Sequence, residues 1–215
     1  MAERREGRVA RGGAVLTVVA DPARVDVRLM QGKLVCPECA GALRPWGWAR
    51  SRVLRDASGG LVGVRPRRAR CVGCGMSHVL LPVFALVRRA DLAEVIGSAL
   101  AAKAAGAGAR VIAERLGRPV ETVRGWLRRF ASRAEEVRRY FTVLLVDAGV
   151  DPAVPGPART VFADAVSAVV GAWWSVRSRW PYVGTVSPWL VACAVSGGIL
   201  LAPSWPSETI NTSRL

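Results

Sequence analysis

RPRRARCVGCG, residues 65–75, places four arginines directly before two cysteines that are separated by two residues. A matching pair, CPEC at residues 36–39, lies upstream, with 31 residues between the two pairs. Each CxxC turn can point two sulfurs at one ion, and two such turns complete a tetrahedral shell of four thiolates. Zinc suits this shell because it accepts soft sulfur ligands. The sequence therefore predicts a structural Zn2+ site with four ligands: Cys36, Cys39, Cys71 and Cys74.

The cysteines have other interpretations. A redox dithiol needs one CxxC, normally at the start of a helix, whereas here two lie in turn-rich surroundings. An iron–sulfur cluster would use the same cysteine ligands, so this interpretation stays open. His78, four residues after Cys74, could replace a thiolate, but four sulfurs already fill the shell, so we expect it to be structural or at the surface. Cys193, alone in LVACAVSGG, is expected to be a small buried apolar residue.

The insertion between the cysteine pairs predicts a β ribbon. Residues 42–55 and 61–70 are typical of strands, and DASGG at 56–60 supplies the turn chemistry between them. Trp46 and Trp48 could stack on bases or on arginines. In so small a ribbon, however, we expect them to form its core.

Positive charge is concentrated in the first two thirds of the chain. The 215 residues carry a formal net charge of +15 and are 51% apolar. Residues 1–140 hold 27 Lys/Arg against 12 Asp/Glu, whereas residues 141–215 hold four of each. Codon bias explains why 29 of the 31 basic residues are arginine. It does not explain why Asp and Glu fail to balance them in the first two thirds of the chain. Such a one-sided field is typical of proteins with a polyanionic partner, nucleic acid above all.

Residues 88–131 predict the three helices of a helix-turn-helix unit. Asp91 is a suitable N-cap for the first helix. The second spans 109–116 and ends at Gly117, and Pro119 suits the first turn of the third. The apolar residues of the third helix recur at i, i+3, i+4 and i+7, which marks one buried face: Val123, Trp126, Leu127 and Phe130.

The other face of the third helix is predicted to read the major groove of double-stranded DNA. Arg124 is the best candidate for guanine because its fork can bond two acceptors on that base. Arg118 departs from the pattern, since an apolar residue is usual just after the turn glycine. Alternation along the ribbon strand puts Arg65 and Arg67 on one face, opposite Arg68 and Arg70. The predicted DNA contacts are Thr122, Arg124, Arg128, Arg129, Arg110, Arg118, Arg65, Arg67, Arg68 and Arg70.

The last third predicts further helices. Ser132 and Glu135 form a possible capping box for a fourth helix, and a Pro-rich linker at 151–159 precedes a helix near 160–178. The charge-free run at 183–202 raises a membrane span. Its internal start signal, Ser-Pro, and stop signal, Gly-Gly, leave room for only a short soluble helix.

The whole chain is therefore expected to be α+β, mostly α. The predicted parts are an N-terminal segment (1–30), a four-cysteine zinc ribbon (31–87), a helix-turn-helix (88–131), a helical Trp-rich region (132–202) and a tail (203–215). The apolar run AVLTVVA at 14–20 is too short for a secretory signal. A reducing cytoplasm is the expected setting, with nucleoid association.

The order LVCPECAGALRPWG, RPRRARCVGCGMSHVLLP, RRADLAEVIGSAL and VIAERLGRPVETVRGWLRRF, closed by INTSR, resembles a high-GC bacterial family. That family is a domain of unknown function joined to a helix-turn-helix, and its members often lie among transposase and integrase genes. The chain is also similar in plan to the homeodomain-like N-terminal half of insertion-sequence transposases, without the catalytic domain that would follow. The resemblance implies DNA binding connected with mobile elements, and no activity.

No catalytic constellation is evident, so we expect a non-enzymatic, zinc-dependent DNA-binding protein that acts as a transposition accessory or regulator. Its expected partners are double-stranded DNA, a transposase or integrase, and a second copy of the chain on paired half-sites. One alternative is a transcription regulator unrelated to transposition. Another is a protein-interaction adaptor that uses the basic face and the Trp-rich region.

Overall fold

The computed structural model describes residues 14–149, 152–181, 186–203 and 205. Within them the chain is mixed α+β, with seven helices and two small sheets, which confirms the predicted α+β class. The predicted tail lies outside the described residues except for Pro203 and Trp205. No helix in the described ranges has the length and apolar character that crossing a membrane requires.

The larger sheet has four strands in the order β1–β6–β5–β2, and the other two strands form a separate hairpin, β3–β4. β1 runs parallel to β6, and the remaining pairs are antiparallel. The strands are β1 (Ala14–Val18), β2 (Leu43–Trp48), β3 (Arg52–Arg55), β4 (Leu61–Val64), β5 (Arg67–Cys71) and β6 (Ser77–Pro82).

The ribbon differs from the prediction because each of its arms is broken. The turn at 56–60 does join two strands, β3 and β4, but β2 and β5 pair in the other sheet. Pro66, between β4 and β5, is buried and has no N–H to continue a ladder. Its carbonyl accepts from Ala49 N at 2.8 Å, so the two arms change sheets at the same level.

The described part of the predicted N-terminal segment belongs to the larger sheet. Residues 14–18 form β1, and helix α1 (Pro22–Met30) begins after Asp21, whose carboxylate accepts from Ala23 N at 2.9 Å. Val25 and Leu29 of α1 are buried in one cluster with Leu43, Ala69 and Cys71 of the sheet. The four-cysteine region is therefore folded together with residues that precede it by one helix and one strand.

Six helices follow and enclose the main apolar core. Phe130, Phe141 and Cys193 are fully buried in it, and burial raises the pKa of the Cys193 thiol to about 12. The predicted helices at 109–116 and 160–178 and the short helix after Ser187 agree with these elements to within about two residues. The helices are α2 (Ala93–Ala104), α3 (Ala109–Leu116), α4 (Val120–Ala131), α5 (Ala134–Ala148), α6 (Val161–Arg179) and α7 (Pro188–Val195).

The predicted capping box at the start of α5 is wrong. Ser132 Oγ donates to the carbonyl of Arg129 in the preceding helix, and no side chain caps α5. Glu135 instead accepts from Arg138 and Arg139 at 2.7 and 3.0 Å. The hydrogen bonds from Arg138 lower the pKa of Glu135 to about 2. Glu135 thus pairs with arginines of its own helix and does not take part in an N-terminal cap.

Asp91 is also not a helix cap, because its carboxylate lies in a buried ion pair with Arg118. Arg118 Nε is 2.5 Å from Asp91 Oδ1, and both side chains are 4% exposed. The same guanidinium donates to the carbonyls of Asp56, Leu116 and Gly117. We call this group the Arg118 clamp. It joins the β3–β4 turn, the start of α2 and the turn between α3 and α4.

Asp91→Ala would leave the guanidinium of Arg118 buried without its counter-charge. We expect the free energy of unfolding to fall by about 3–5 kcal/mol in chemical denaturation, since this is the usual effect of breaking a buried ion pair. The control is Glu121→Ala, which removes an exposed pair with Arg124 and should cost less than about 1 kcal/mol. Equal small losses in both variants would contradict a stabilising clamp.

Gly97→Ala tests the crossing of α2 and α7. A Cβ at residue 97 would lie 1.9 Å from the ring of Trp189, which is buried against α2. Helix propensity alone predicts a gain of about 1 kcal/mol, but the clash should instead destabilise the fold by about 1–3 kcal/mol. Gly63→Ala, where nothing lies within 4 Å, is the matched control. A stabilised Gly97→Ala variant would show that the helices do not pack this closely.

Candidate metal centre and basic surface

The four cysteines predicted as ligands meet at one point. Their Sγ atoms all lie within 4.8 Å of one another. Cys36 Sγ is 3.8 Å from Cys74 Sγ, and Cys39 Sγ is 3.4 Å from Cys71 Sγ. Four sulfurs bound tetrahedrally to zinc would be about 3.8 Å apart, given a zinc–sulfur distance of about 2.3 Å. The donor set and its spacing therefore fit one tetrahedral metal ion.

The two cysteine loops, residues 36–41 and 71–76, have the same backbone hydrogen bonds. In each loop, the N–H of the residue after the second cysteine donates to the carbonyl of the first. The first cysteine's own N–H then donates to the carbonyl of the next residue along. These bonds are Ala40 N to Cys36 O, Gly75 N to Cys71 O, Cys36 N to Gly41 O and Cys71 N to Met76 O, at 2.8–3.1 Å. The site is thus built from two equivalent turns.

Small residues make both turns sterically possible. Gly75 has a φ of 72°, a value open to glycine, and Ala40 takes the equivalent conformation at 56°. Gly41 has a different role. A Cβ at residue 41 would lie 3.0 Å from Cys71 Sγ, so a side chain there would crowd the sulfur of the opposite loop.

His78 is buried against one of the cysteines. Its Nε2 lies 3.3 Å from Cys36 Sγ, and its side chain is fully buried. Burial raises the pKa of Cys36 to about 12, whereas the hydrogen bond from the Cys74 backbone N–H lowers the pKa of Cys71 to about 6. The His78 ring packs directly against the sulfur of one candidate ligand. The burial of His78 therefore excludes a surface position, and its structural role stays a prediction.

Helix α4 exposes the arginines that the sequence assigned to DNA. Arg124, Arg128 and Arg129 are exposed, and Thr122 is half-buried near the start of the helix. Arg110 is exposed on α3. The opposite side of α4 is buried, as predicted, with the following residues: Val123, Trp126, Leu127 and Phe130. The structure therefore places the predicted DNA-contacting arginines of α4 at the surface and its predicted apolar residues in the core.

Two of these arginines have contacts within their own helix. Arg124 Nη1 donates to Glu121 Oε1 at 2.5 Å, and both side chains stay largely exposed. Arg129 Nη1 donates to the carbonyl of Gly125 at 2.9 Å. A guanidinium has five N–H donors, so most of the hydrogen-bonding capacity of each remains for a partner.

Arg118 is the predicted DNA contact that the structure contradicts. Its side chain is 4% exposed, because its guanidinium belongs to the Arg118 clamp. A residue that satisfies Asp91 and three carbonyls inside the protein is not available to a phosphate. The unusual position of an arginine after the turn glycine has this physical explanation.

Sequence reasoning missed a group of arginines beside α4. Burial and the charges of Arg129 and Arg88 lower the pKa of Arg89, which is half-buried. Arg52 donates to the carbonyls of Leu86 and Arg89 and extends the group toward β3. The sequence signal was the pair Arg88–Arg89 directly before α2. Arg52, Arg88, Arg89 and Arg129 thus form one group of positive charge.

The ribbon arginines are divided between two environments. Arg67 Nε lies 2.6 Å from Asp26 Oδ1 of α1, on the side of the sheet where Ala69 is fully buried. Arg68 is half-buried, whereas Arg65 and Arg70 are exposed. Exposure thus separates Arg65 and Arg70 from Arg67 and Arg68, and the predicted alternation of faces stays a prediction.

Trp46 and Trp48 do not form a ribbon core. They are 53% and 42% exposed. Arg70 Cζ lies 4.8 Å from the Trp46 ring centre, and Arg67 and Arg65 lie 4.3 and 5.4 Å from that of Trp48. The core expectation is wrong because residues of α1 fill the space that the tryptophans were expected to fill.

Comparison of the chain with protein-family models, curated proteins and solved structures found no match. What the chain binds must therefore be inferred from the metal centre and the basic surface themselves. The arginines outside the Arg118 clamp remain candidates for contact with a polyanion.

Cys71→Ser should weaken Zn2+ binding strongly, since it leaves three thiolates around the ion. The full chain, loaded with Zn2+, is expected to hold one ion per molecule by elemental analysis, and a chelator should lower its unfolding temperature. Cys193→Ser is the matched control because Cys193 Sγ lies away from the cluster, near the carbonyl of Ala85. A Zn2+ affinity in the Cys71→Ser variant equal to that of the unchanged chain would rule out Cys71 as a ligand.

Proposed function

We propose that this chain is a zinc-stabilised, non-enzymatic DNA-binding protein whose helix α4 reads the major groove. The observation that carries the proposal is the two-sided character of α4. One side is buried in the core, and the other exposes Arg124, Arg128 and Arg129. An arginine-bearing surface of this kind fits a polyanion better than it fits an apolar partner.

Helices α3 and α4 form the proposed helix-turn-helix. Gly117 ends α3 with a φ of 60°, and Pro119 then precedes α4 with only a short turn between the helices. Ile112 and Ala113 of α3 are buried where the two helices pack. A recognition helix must be held rigidly on its supporting helix so that its first two turns can enter the groove.

The roles of the α4 side chains follow from their positions. Arg124, one turn from the start of the helix, would contact a guanine with two N–H donors. Its pair with Glu121 holds the guanidinium over the first turn of α4. Arg128 and Arg129, one turn later, would contact phosphates. Thr122 would lie at the edge of the groove.

The arginines around α4 would extend the contact along the backbone. Arg110 of α3 and Arg89 beside Arg129 fit phosphates that flank the groove. Arg65, Arg68 and Arg70 add charge on the ribbon. Phosphate contacts of this kind release counterions, so the affinity should fall steeply as salt rises.

Zn2+ is the metal we propose for the four-cysteine site. Its role would be structural, because four protein thiolates leave no open coordination position for a substrate. The sulfur spacing supports this assignment. Zinc would fix the ends of β2 and β5, and so the ribbon arginines, relative to α1.

The biological context that we propose is a mobile element, with the protein as an accessory or regulator of transposition. The support is the resemblance described above, carried by its quoted motifs. A transcription regulator outside any mobile element would use the same surface. A second copy of the chain on paired half-sites, and a transposase or integrase, are the protein partners that this proposal includes.

Arg124→Ala with Arg128→Ala tests the DNA proposal. We expect the double variant to lose binding to sites enriched from random duplex DNA, because it removes a base contact and a phosphate contact; fluorescence anisotropy measures the affinity. Arg139→Ala with Arg159→Ala is the control. It removes the same charge from exposed residues outside α4. Equal affinities for the two variants would favour the adaptor alternative.

A further inference from the structure

Trp46 and Trp48 are exposed aromatic rings on an edge strand, and the proposed contact with duplex DNA leaves them without a role. Within the described residues, β2 is the last strand of its sheet. The register with β5 shifts between Pro45 and Gly47, so Trp46 lies at a bulge. Gly47 has a φ of 104°, which glycine adopts readily. Bulges re-aim side chains at sheet edges, and this one projects the ring of Trp46 outward.

Each ring is in contact with at least one arginine. The guanidinium of Arg70 lies over Trp46, and those of Arg67 and Arg65 lie over Trp48. With 53% and 42% of the two tryptophans exposed, each ring keeps open surface for a second planar group. A guanidinium that covers a ring directs its N–H donors outward from the ring edge, where they can meet a phosphate.

The surrounding charge selects the kind of planar group. Residues 42–71 contain eight arginines and one acid, Asp56. The carboxylate of Asp56 is occupied by hydrogen bonds from Ser58 and Gly60. Asp26 pairs with Arg67, whereas Arg65 and Arg70 have no ion pair within the described ranges. A ligand with planar rings joined by negative charges complements this edge.

We propose that the β2 edge binds single-stranded nucleic acid, with unpaired bases stacked on Trp46 and Trp48 and the adjoining phosphates held by Arg65 and Arg70. Bases in a duplex are stacked on one another and cannot offer their faces to these rings. The proposed site therefore uses side chains outside α4, and stacking on its two rings does not depend on duplex binding, although Arg65 and Arg70 also carry charge that the duplex proposal uses.

Trp46→Leu with Trp48→Leu tests the site in the full, zinc-loaded chain. The probe is a short labelled oligothymidylate, measured by fluorescence anisotropy at low salt, with an oligouridylate arm to compare DNA and RNA. Because aromatic stacking contributes about 1–3 kcal/mol per base, we expect roughly a five- to hundredfold loss of affinity for each ring removed. Phenylalanine at both positions should restore most of the affinity.

Trp174→Leu is the matched control, since Trp174 is also 53% exposed and lies 5.2 Å from Arg177 Cζ. It should bind the oligonucleotide like the unchanged chain. An unaltered affinity in the β2 variant, or an equal loss in the Trp174 variant, would overturn the proposal. An equal loss of duplex and single-strand affinity in the β2 variant would also overturn it. Ring-dependent single-strand binding without any duplex binding would uphold it while refuting the role of α4.

Discussion

The Arg118 clamp is the contact on which the arrangement of the described chain depends. One guanidinium meets a carboxylate at the start of α2, a carbonyl of the β3–β4 turn and two carbonyls at the end of α3. Burying an arginine is costly unless its charge and its donors are satisfied. The clamp satisfies them only when hairpin, α2 and the α3–α4 turn are all in place. It therefore fixes how the ribbon side and α4 are oriented with respect to each other.

The two ends of the described chain are stabilised by different means. The helices α2–α7 share a large apolar core in which aromatic rings pack edge to face, as Tyr140 does with Trp205. The four-stranded sheet has a much smaller core, in which Val25 and Leu29 of α1 pack against buried residues of the strands. A small sheet of this kind gains from a cross-link between distant residues. A metal ion on the four cysteines would supply it at the ends of β2 and β5.

Much of the candidate site could be predicted because its signals are local. Two CxxC turns identify their ligands by spacing, and the apolar period of α4 separates its buried residues from its exposed arginines. Other residues could not be assigned in this way. Aspartate is a common helix-capping residue, which is why Asp91 was predicted to be a cap. Its carboxylate instead pairs with Arg118, 27 residues away, which offers a stronger bond than a helix terminus does. Arg89 gains its place in the basic surface only because α4 brings Arg129 beside it.

The sequence by itself determined the four-sulfur ligand set, the mixed α+β class, the bounds of most helices and the excess of positive charge in the first two thirds. These depend on residue type and on spacing along the chain. The tertiary structure alone decided that Arg118 is internal, that His78 lies against Cys36, that β1 joins the sheet and that Trp46 and Trp48 face solvent. Each of these depends on which distant segment occupies the adjacent space, and α1 filled the space that a tryptophan core would have needed.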